Sequence, residues 1–371
     1  MPNDQALRIF DTRFHNPSIF EVRQATDATE LLDFCVPANS YFPPPALLSR
    51  IQAGLVDILK YYPDYAPVHQ ANIGQLIGLA PEYIVPANGV TELITQLCLG
   101  AEGPILTDTP TFGRWTDLPL QHGVPVHFIE RRKDRDFKLT VDDIVARVEA
   151  TGSRTFVLCN PSNPTGACSS AADIETLLDR LRHLSLVVID ESFIDFASVP
   201  SAQEAVLRVP NAIVVKSMGK ALGWHGIRLG HGVANAALAD RLRARTPYWN
   251  INGLAARVLH EVKHFLPEYK ASFAKVAADR EHLYRSLSEL RGLSVYPSET
   301  NFVYVELPDG VSGRALRDVL VRDHGIFVRE CSNKVGSSEN YLRLVARKRP
   351  DVDRLISALR HVLRVPEASL A

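Results

Sequence analysis

The segment "VVKSMGKALGWHGIRLG" (214–230) passes from an apolar run into a polar stretch, and the fold prediction starts from it. The apolar run, which closes at Ser217, is typical of a strand that is covered on both faces of a parallel sheet. Lys216 and Lys220 lie at its end, and Arg228 follows eight residues after Lys220. A hydroxyl and a guanidinium suit an anion such as phosphate, and a lysine buried beside them is partly deprotonated and nucleophilic. The segment therefore predicts an anion site with one chemically active lysine.

Composition limits the classes of protein to which the chain can belong. The 371 residues include 41 Lys and Arg against 42 Asp and Glu, a net charge of −1 that offers no general attraction for nucleic acid. The sequence shows no signal peptide and no apolar run long enough to span a membrane. Its five cysteines lack metal-like spacing, which favours reduced thiols in the cytoplasm. We expect a cytoplasmic protein without a nucleic-acid or membrane partner.

Strands and helices alternate in the first two thirds of the chain, which predicts an α/β fold with a parallel, doubly wound sheet. Short apolar runs are predicted as strands at 103–108, 124–130, 155–160, 186–190 and 212–217. Ligands bind such sheets at the carboxyl ends of the strands. After residue 255 the pattern changes to a smaller α+β unit. The predicted domains are an N-terminal arm (1–50) joining the small domain, a large domain (51–254) and a small C-terminal domain (255–371).

Three further motifs place polar groups at predicted strand ends. "NPSNPTG" (160–166) is a tight polar turn after a buried strand. "VVIDESFIDF" (187–196) puts Asp190 at a strand end, where a carboxylate either needs a donor or cationic partner or caps the next helix. "PANGVTEL" (86–93) is a glycine turn opening a helix, whose free N–H groups make a second anion site. Together with the lysine segment, these motifs indicate a pyridoxal phosphate site.

The order of these motifs carries a family resemblance over nearly the whole chain. N-G-x-x-E, P-T-F, N-P-x-N-P-T-G, D-E-x-F and S-x-x-K-x7-R follow one another as in fold type I pyridoxal-phosphate enzymes of the class I/II aminotransferase family. Within that family the chain most resembles histidinol-phosphate aminotransferases and threonine-phosphate decarboxylases.

The resemblance implies a role for each residue around the cofactor ring. Lys220, rather than Lys216, would hold pyridoxal 5'-phosphate covalently. Asp190 would pair with the pyridine nitrogen, Asn163 would hydrogen-bond the phenolic oxygen, and Phe112 would stack on the ring.

The resemblance also implies a phosphate-binding set and a partner chain. Ser217, Arg228 and the backbone at Gly89 and Val90 would hold the cofactor phosphate. Tyr62 resembles the tyrosine that reaches the neighbouring subunit's cofactor, which implies a homodimer.

The expected substrate is an L-amino acid, phosphorylated or otherwise anionic in its side chain. Arg343 stands where the family binds the substrate carboxylate, and Arg329 and Asn39 belong to the same region. The first expectation is an aminotransferase of the histidinol-phosphate type. The alternative is a decarboxylase of the threonine-phosphate type.

Departures from the aminotransferase pattern point toward that alternative. Phe193 stands where the aminotransferases have tyrosine, and this residue leans toward the decarboxylases; Gly219, which replaces the serine before the lysine, is a further departure. "RECSN" also resembles the decarboxylases, although their N-terminal H-G-G-N is present only as His15-Asn16.

Two other classes are less well supported by the sequence. "HEVKH" (260–264) matches the H-E-x-x-H zinc pattern, which would make His260, Glu261 and His264 a zinc-peptidase site. Such a short motif arises easily by chance, so we expect surface histidines and no metal. A non-catalytic pyridoxal sensor is disfavoured because no helix-turn-helix module is evident.

Overall fold

A computed structural model describes residues 9–10, 16–26 and 30–363 of the protein. The strands are β1 (Leu32–Asp33), β2 (Ile84–Ala87), β3 (Ile105–Thr109), β4 (Val126–Glu130), β5 (Thr155–Cys159), β6 (Leu186–Asp190), β7 (Ala212–Ser217), β8 (Gly230–Ala234), β9 (Ser294–Tyr296), β10 (Phe302–Glu306), β11 (Ile326–Phe327), β12 (Arg329–Glu330) and β13 (Tyr341–Val345).

The helices are α1 (Ile19–Thr26), α2 (Pro45–Ala53), α3 (Leu55–Lys60), α4 (Ala66–Ile77), α5 (Val90–Leu99), α6 (Arg114–Gln121), α7 (Val141–Thr151), α8 (Ala171–Arg180), α9 (Gln203–Leu207), α10 (Met218–Ala221), α11 (Ala236–Arg243), α12 (Gly253–Val262), α13 (Leu266–Ser288), α14 (Gly313–His324) and α15 (Arg349–Val362). Within the described ranges, no helix is both long and apolar enough to cross a membrane.

The central sheet confirms the predicted α/β fold. Across the described residues its seven strands run in the order β2-β8-β7-β6-β5-β3-β4. Neighbours from β4 to β7 pair in parallel, whereas β8 is antiparallel to both β2 and β7. The predicted runs correspond to β3 through β7: the bounds of β6 and β7 agree, and those of the other three strands differ by at most two residues. The sequence prediction missed β2, which contains a proline, and β8, which contains two glycines, because both residue types weaken a strand pattern.

Helices cover both faces of this sheet, which explains the uninterrupted apolar runs. One face packs against α7, α8 and α9, through side chains such as Val148, Leu177 and Val206. The other packs against α5, α6 and α11, through side chains such as Leu93 and Trp115. Every residue of β5 is therefore buried. Burial of each large apolar side chain stabilises the fold by roughly 1.5–3 kcal/mol before entropy is subtracted.

A second, antiparallel sheet with the order β12-β13-β10-β9 packs against α13, α14 and α15 around its own core. The N-terminal strand β1 pairs in parallel with β11, so Leu32 lies beside Ile326. Helices α12 and α13 are separated by a 3-10 turn at Lys263–Phe265. Pro267, in the first turn of α13, cannot donate a backbone N–H to the preceding turn, which ends α12.

Candidate functional site

A cleft of about 360 Å³ opens where the carboxyl ends of the central strands face β12 and β13. Most of the residues predicted for the site line it. They are Val90, Phe112, Asn163, Ser217, Lys220, Arg228, Arg329 and Arg343. A narrow recess continues from the cleft to Asp190, past Cys159 and Ser192. Parallel strands bring these distant sequence positions to one edge of the sheet.

Lys220 and Lys216 lie in different environments. Lys220 is in α10, one turn that directly follows β7, and its Nζ lies 5.0 Å from the centre of the Phe193 ring. Burial lowers the pKa of Lys220 to about 8; the charge of Asp190 opposes this change and that of Arg343 assists it. Lys216 Nζ lies 2.6 Å from Asp195 Oδ1 in a mostly buried ion pair. Lys220 is therefore the amine that can act as a nucleophile.

Asp190 ends β6 and presents a buried carboxylate to the recess. Its Oδ2 accepts a hydrogen bond from Trp115 Nε1 at 2.8 Å, and its Oδ1 accepts one from the backbone N–H of Ser192 at 3.0 Å. Donors on both oxygens stabilise the charged carboxylate. Such a group can keep a heteroaromatic nitrogen protonated.

The glycine turn before α5 forms an anion site together with Arg228. Gly89 has φ +75°, and a Cβ atom there would lie 2.4 Å from Arg228 Nη2. Glycine thus lets the guanidinium pack against the turn. Helix α5 begins at Val90 without a side-chain cap from the described residues, so N–H groups of its first turn can bind a ligand. The helix N-terminus, the guanidinium and the Ser217 hydroxyl suit a phosphate group.

Arg343 connects the two sheets and orients Asn163. Its Nη1 donates to Asn163 Oδ1 at 2.8 Å, and its Nη2 donates to the Cys35 carbonyl at 2.7 Å. Because the Asn163 oxygen is occupied, its amide NH₂ is the group left to donate to a ligand. The buried Nε of Arg343 has no partner among the described residues, so this cation retains a donor for a ligand.

Two more cations complete the wall of the cleft opposite Lys220. Arg329 donates to the side-chain oxygens of Asn16 and Asn333. Lys334 donates from Nζ to the Thr111 carbonyl at 2.8 Å and is 7% exposed. The sequence analysis missed Lys334, because nothing in "RECSNK" distinguishes this lysine from an exposed loop residue.

The cleft has a marked excess of positive charge. Within the described residues, Arg329, Lys334 and Arg343 form no ion pair with a carboxylate, and Asp190 is the one acidic residue in the lining. Buried cations without a counterion are costly, so this arrangement indicates anionic ligands.

Asn39 and Tyr62 lie outside the cleft lining. The Asn39 side chain donates to Ala221 O and Ser272 Oγ and accepts from the backbone N–H of Tyr41, so it supports the end of α10. Tyr62 is 81% exposed and stacks on Trp249 with ring centres 4.7 Å apart. His15, the other half of the His15-Asn16 pair, lies outside the described residues.

The acidic residue of the H-E-x-x-H segment (260–264) forms ion pairs with arginines. Glu261 forms ion pairs with Arg50 at 3.0 Å and Arg257 at 2.9 Å, so its carboxylate is not available as a general base. Over the described ranges, no group of three His, Cys, Asp or Glu side chains could hold a metal ion.

The cleft as a whole fits pyridoxal phosphate. It offers a phosphate site at Gly89 and Arg228, a nucleophilic amine at Lys220 and a carboxylate at the end of the recess. The donor left on Asn163 suits the phenolic oxygen of the cofactor.

Comparison with known proteins establishes the family. The model of the class I and II aminotransferases matches residues 29–359, so the chain belongs to this family of pyridoxal-phosphate enzymes, and pyridoxal phosphate is its cofactor. Solved structures of a histidinol-phosphate aminotransferase and a threonine-phosphate decarboxylase are also similar, as the resemblance predicted.

Several similar proteins act on phosphorylated or phosphono compounds, according to their names. The L-serine phosphate decarboxylase of Sulfurospirillum multivorans is 28% identical over 366 residues, covering 94% of this chain and 93% of that protein. The CMP-5'-(3-aminopropyl)phosphonate synthase of Streptomyces rubellomurinus is 32% identical over 336 residues, 89% of this chain; this chain spans 53% of that relative. The structure of a decarboxylase from Sulfurospirillum multivorans superposes with a TM-score of 0.88 at 27% identity, covering 97% and 96% of the two chains.

These relatives correct the expected activity. The expectation of an aminotransferase is wrong, because L-serine phosphate decarboxylases match almost the full chain and the alternative of a decarboxylase fits better. The physical reason is that the motifs around Lys220 and Asp190 describe the cofactor site, which both reactions share. The choice of reaction depends on how the substrate is oriented, and those motifs do not specify it.

Proposed function

We propose that this enzyme decarboxylates an L-amino acid whose side chain carries a phosphoryl or phosphono group, with L-serine phosphate as the first substrate to test. The observation that carries the proposal is a set of three cations in the cleft lining, Arg329, Lys334 and Arg343, none of which forms an ion pair with a carboxylate of the described residues. The names of the relatives support the same substrate class.

Charge balance supports a substrate with two anionic groups. The cofactor phosphate would be bound by Arg228, Ser217 and the turn at Gly89 and Val90, which leaves the opposite wall for the substrate. One α-carboxylate neutralises a single cation of the three. A side-chain phosphoryl group adds about 1.5–2 negative charges at neutral pH, which would complete the balance.

The proposed roles divide the chemistry among a few side chains. When bound, pyridoxal phosphate accepts the electron pair left on Cα after one of its bonds breaks. Lys220 would hold the cofactor and deliver a proton to Cα after carbon dioxide leaves. Asp190 would keep the pyridine nitrogen protonated, Asn163 would donate to the phenolic oxygen, and Phe112 would cover the ring.

Two arginines of the cleft, Arg343 and Arg329, are held in place by hydrogen bonds, so they could determine which bond of the substrate breaks. Arg343 is fixed by Asn163 and the Cys35 carbonyl, and Arg329 by Asn16 and Asn333. Two guanidinium groups held in place can fix both anionic ends of the substrate and hence the direction of its Cα–carboxylate bond. That direction would then decide which bond to Cα breaks.

A homodimer remains part of the proposal, with Tyr62 reaching the partner's cofactor. An exposed apolar patch formed by Val56, Leu59, Tyr62, Tyr248 and Trp249 supports it. The division into an arm (1–50), a large domain (51–254) and a small domain (255–371) also stays a proposal, supported by the pairing of β1 with β11.

The five unpaired cysteines support a location in the reducing cytoplasm.

Comparison of matched substrates tests this function. Purified holoenzyme is given O-phospho-L-serine, O-phospho-L-threonine, L-serine or L-aspartate, and the products are identified by proton and phosphorus NMR. We expect an aminoalkyl phosphate from a phosphorylated substrate, with kcat/KM roughly 10⁴-fold above that for L-serine, because the unpaired cations reject an uncharged side chain. Equal activity on L-serine and its phosphate would contradict the proposal.

A further inference from the structure

Lys334 is a buried cation that the proposed cofactor chemistry does not use. It lines the same cleft as Lys220, from the loop between β12 and β13. An ammonium group has three donors, and the Thr111 carbonyl is the one acceptor recorded for Lys334 among the described residues. Two donors therefore remain for a ligand in the cleft.

The position of Lys334 is fixed from both sides. Gly336, two residues later, has φ +78°, and a Cβ atom there would lie 2.8 Å from Thr109 Cβ. The hydroxyls of Ser337 and Tyr304 are hydrogen-bonded at 2.8 Å, which anchors the same loop to β10. The loop is thus pressed against the segment that carries Thr111, and the lysine is held at the wall of the cleft.

The electrostatic surroundings of Lys334 call for a strongly charged ligand. Burial lowers its pKa to about 7, and the charge of Arg329 acts in the same direction. Keeping a charged lysine here is costly unless an anion enters. A dianion offsets that cost more fully than a monoanion of the same shape.

We infer that Lys334 is a specificity-determining residue that binds the terminal phosphoryl or phosphono group of the substrate and selects a dianion over a monoanion. The inference rests on the proposed function for the substrate class but not on the reaction that follows. Its test therefore uses ligands without an α-carboxylate, which cannot be decarboxylated.

The experiment measures the dissociation constants of O-phosphoethanolamine and ethanolamine O-sulfate for the holoenzyme by isothermal titration calorimetry. The two ligands share a tetrahedral head group and differ in charge. Lys334→Gln keeps a donor for the Thr111 carbonyl and removes the charge, Lys334→Arg keeps the charge, and Lys348→Gln is a control on an exposed lysine.

Wild-type enzyme is expected to prefer the phosphate ester by at least about tenfold. Lys334→Gln should weaken phosphate binding roughly 10- to 100-fold, the effect of losing a hydrogen bond between charged groups, and should weaken sulfate binding much less. Lys334→Arg and Lys348→Gln should keep the wild-type preference. A wild-type enzyme without the preference overturns the inference whether or not any variant folds, and so does an equal loss of both ligands in Lys334→Gln.

The result separates this inference from the proposed function. Binding of the phosphate ester that depends on Lys334, without release of carbon dioxide from L-serine phosphate, would support the inference and contradict the decarboxylase. Release of carbon dioxide from L-serine phosphate, together with phosphate-ester binding that is unchanged in Lys334→Gln, would support the decarboxylase and contradict the inference about Lys334.

Discussion

At the level of single residues, the sequence predicted which lysine is reactive, but it did not predict the whole charge pattern of the cleft. The family resemblance selected Lys220, eight residues before Arg228, over Lys216, and the ion pair of Lys216 with Asp195 is consistent with that choice. Lys334 could not be predicted, since its burial depends on how a loop near β13 packs against Thr111. Asn39 was expected near the substrate, yet its hydrogen bonds are directed to backbone and side chains under α10.

The lowered pKa of Lys220 predicts how fast the apoenzyme takes up its cofactor. With a pKa near 8 instead of 10.5, about half of this amine is neutral at pH 8. We expect the rate of covalent attachment, trapped with borohydride and mapped by mass spectrometry, to rise with pH to a midpoint near 8. Arg343→Gln should raise the midpoint, because it removes a nearby positive charge. An adduct on Lys216, or a rate still rising above pH 10, would contradict the assignment.

Asp190 is predicted to act electronically rather than structurally. Asp190→Asn should retain the cofactor, held by Lys220 and Arg228, but should lower kcat roughly 100-fold or more, since a neutral amide cannot keep the pyridine nitrogen protonated. Steady-state kinetics and the absorption spectrum of the bound cofactor measure the two effects. Trp115→Phe is the control: it removes the 2.8 Å hydrogen bond but not the charge, and should cost about tenfold or less. Near-normal turnover of Asp190→Asn would show that the carboxylate has a structural role.

At the scale of elements, continuously apolar strands were predictable and the interrupted ones were not. The strands β3 to β7 gave clear signals because helices cover both of their faces. The antiparallel strands β2 and β8 were not predicted, because the proline in β2 and the glycines in β8 weaken the strand pattern. The part of the cleft lining contributed by β12, β13 and their loop contains two arginines, Arg329 and Arg343, that the sequence analysis named. Its arrangement depends on the packing of two sheets, which local patterns do not encode.

Gly89, in the turn before α5, can be compared with Gly78, which caps the end of α4. Gly89 and Gly78 both have φ near +75°, but a Cβ atom at Gly89 would meet Arg228, whereas Gly78 faces open space. Alanine at Gly78, which is left-handed with ψ 28°, should lower the free energy of unfolding by about 1–2 kcal/mol. Alanine at Gly89, whose ψ of 152° lies in a region that is essentially restricted to glycine, should lower it by roughly 1–3 kcal/mol. Only Gly89→Ala should also weaken pyridoxal phosphate binding, because it displaces the Arg228 guanidinium. The affinity for pyridoxal phosphate is measured by equilibrium titration of the two apoenzyme variants. Equal affinities would contradict the assignment of the phosphate site to Gly89 and Arg228.

At the scale of the whole molecule, the exposed apolar patch predicts self-association. Val56 and Leu59 of α3 are 76% and 78% exposed, next to Tyr62. Leu59→Asp should shift the protein from dimer to monomer in sedimentation velocity, and activity should fall because Tyr62 would no longer reach the partner's site. Phe20→Asp is the control, since Phe20 is 75% exposed in α1 and lies outside the patch. Monomeric wild-type enzyme with full activity would contradict the homodimer.

The proposed function requires that this member of the aminotransferase family release carbon dioxide instead of transferring an amino group. The most direct measurement follows L-serine phosphate labelled with ¹³C in its carboxylate, in a single turnover in deuterated water without a keto acid. We predict that the label leaves as carbon dioxide, that the product is an aminoalkyl phosphate with one deuterium on the former Cα, and that the cofactor remains pyridoxal phosphate. Retention of the label in a keto acid, with conversion of the cofactor to pyridoxamine phosphate, would contradict the account.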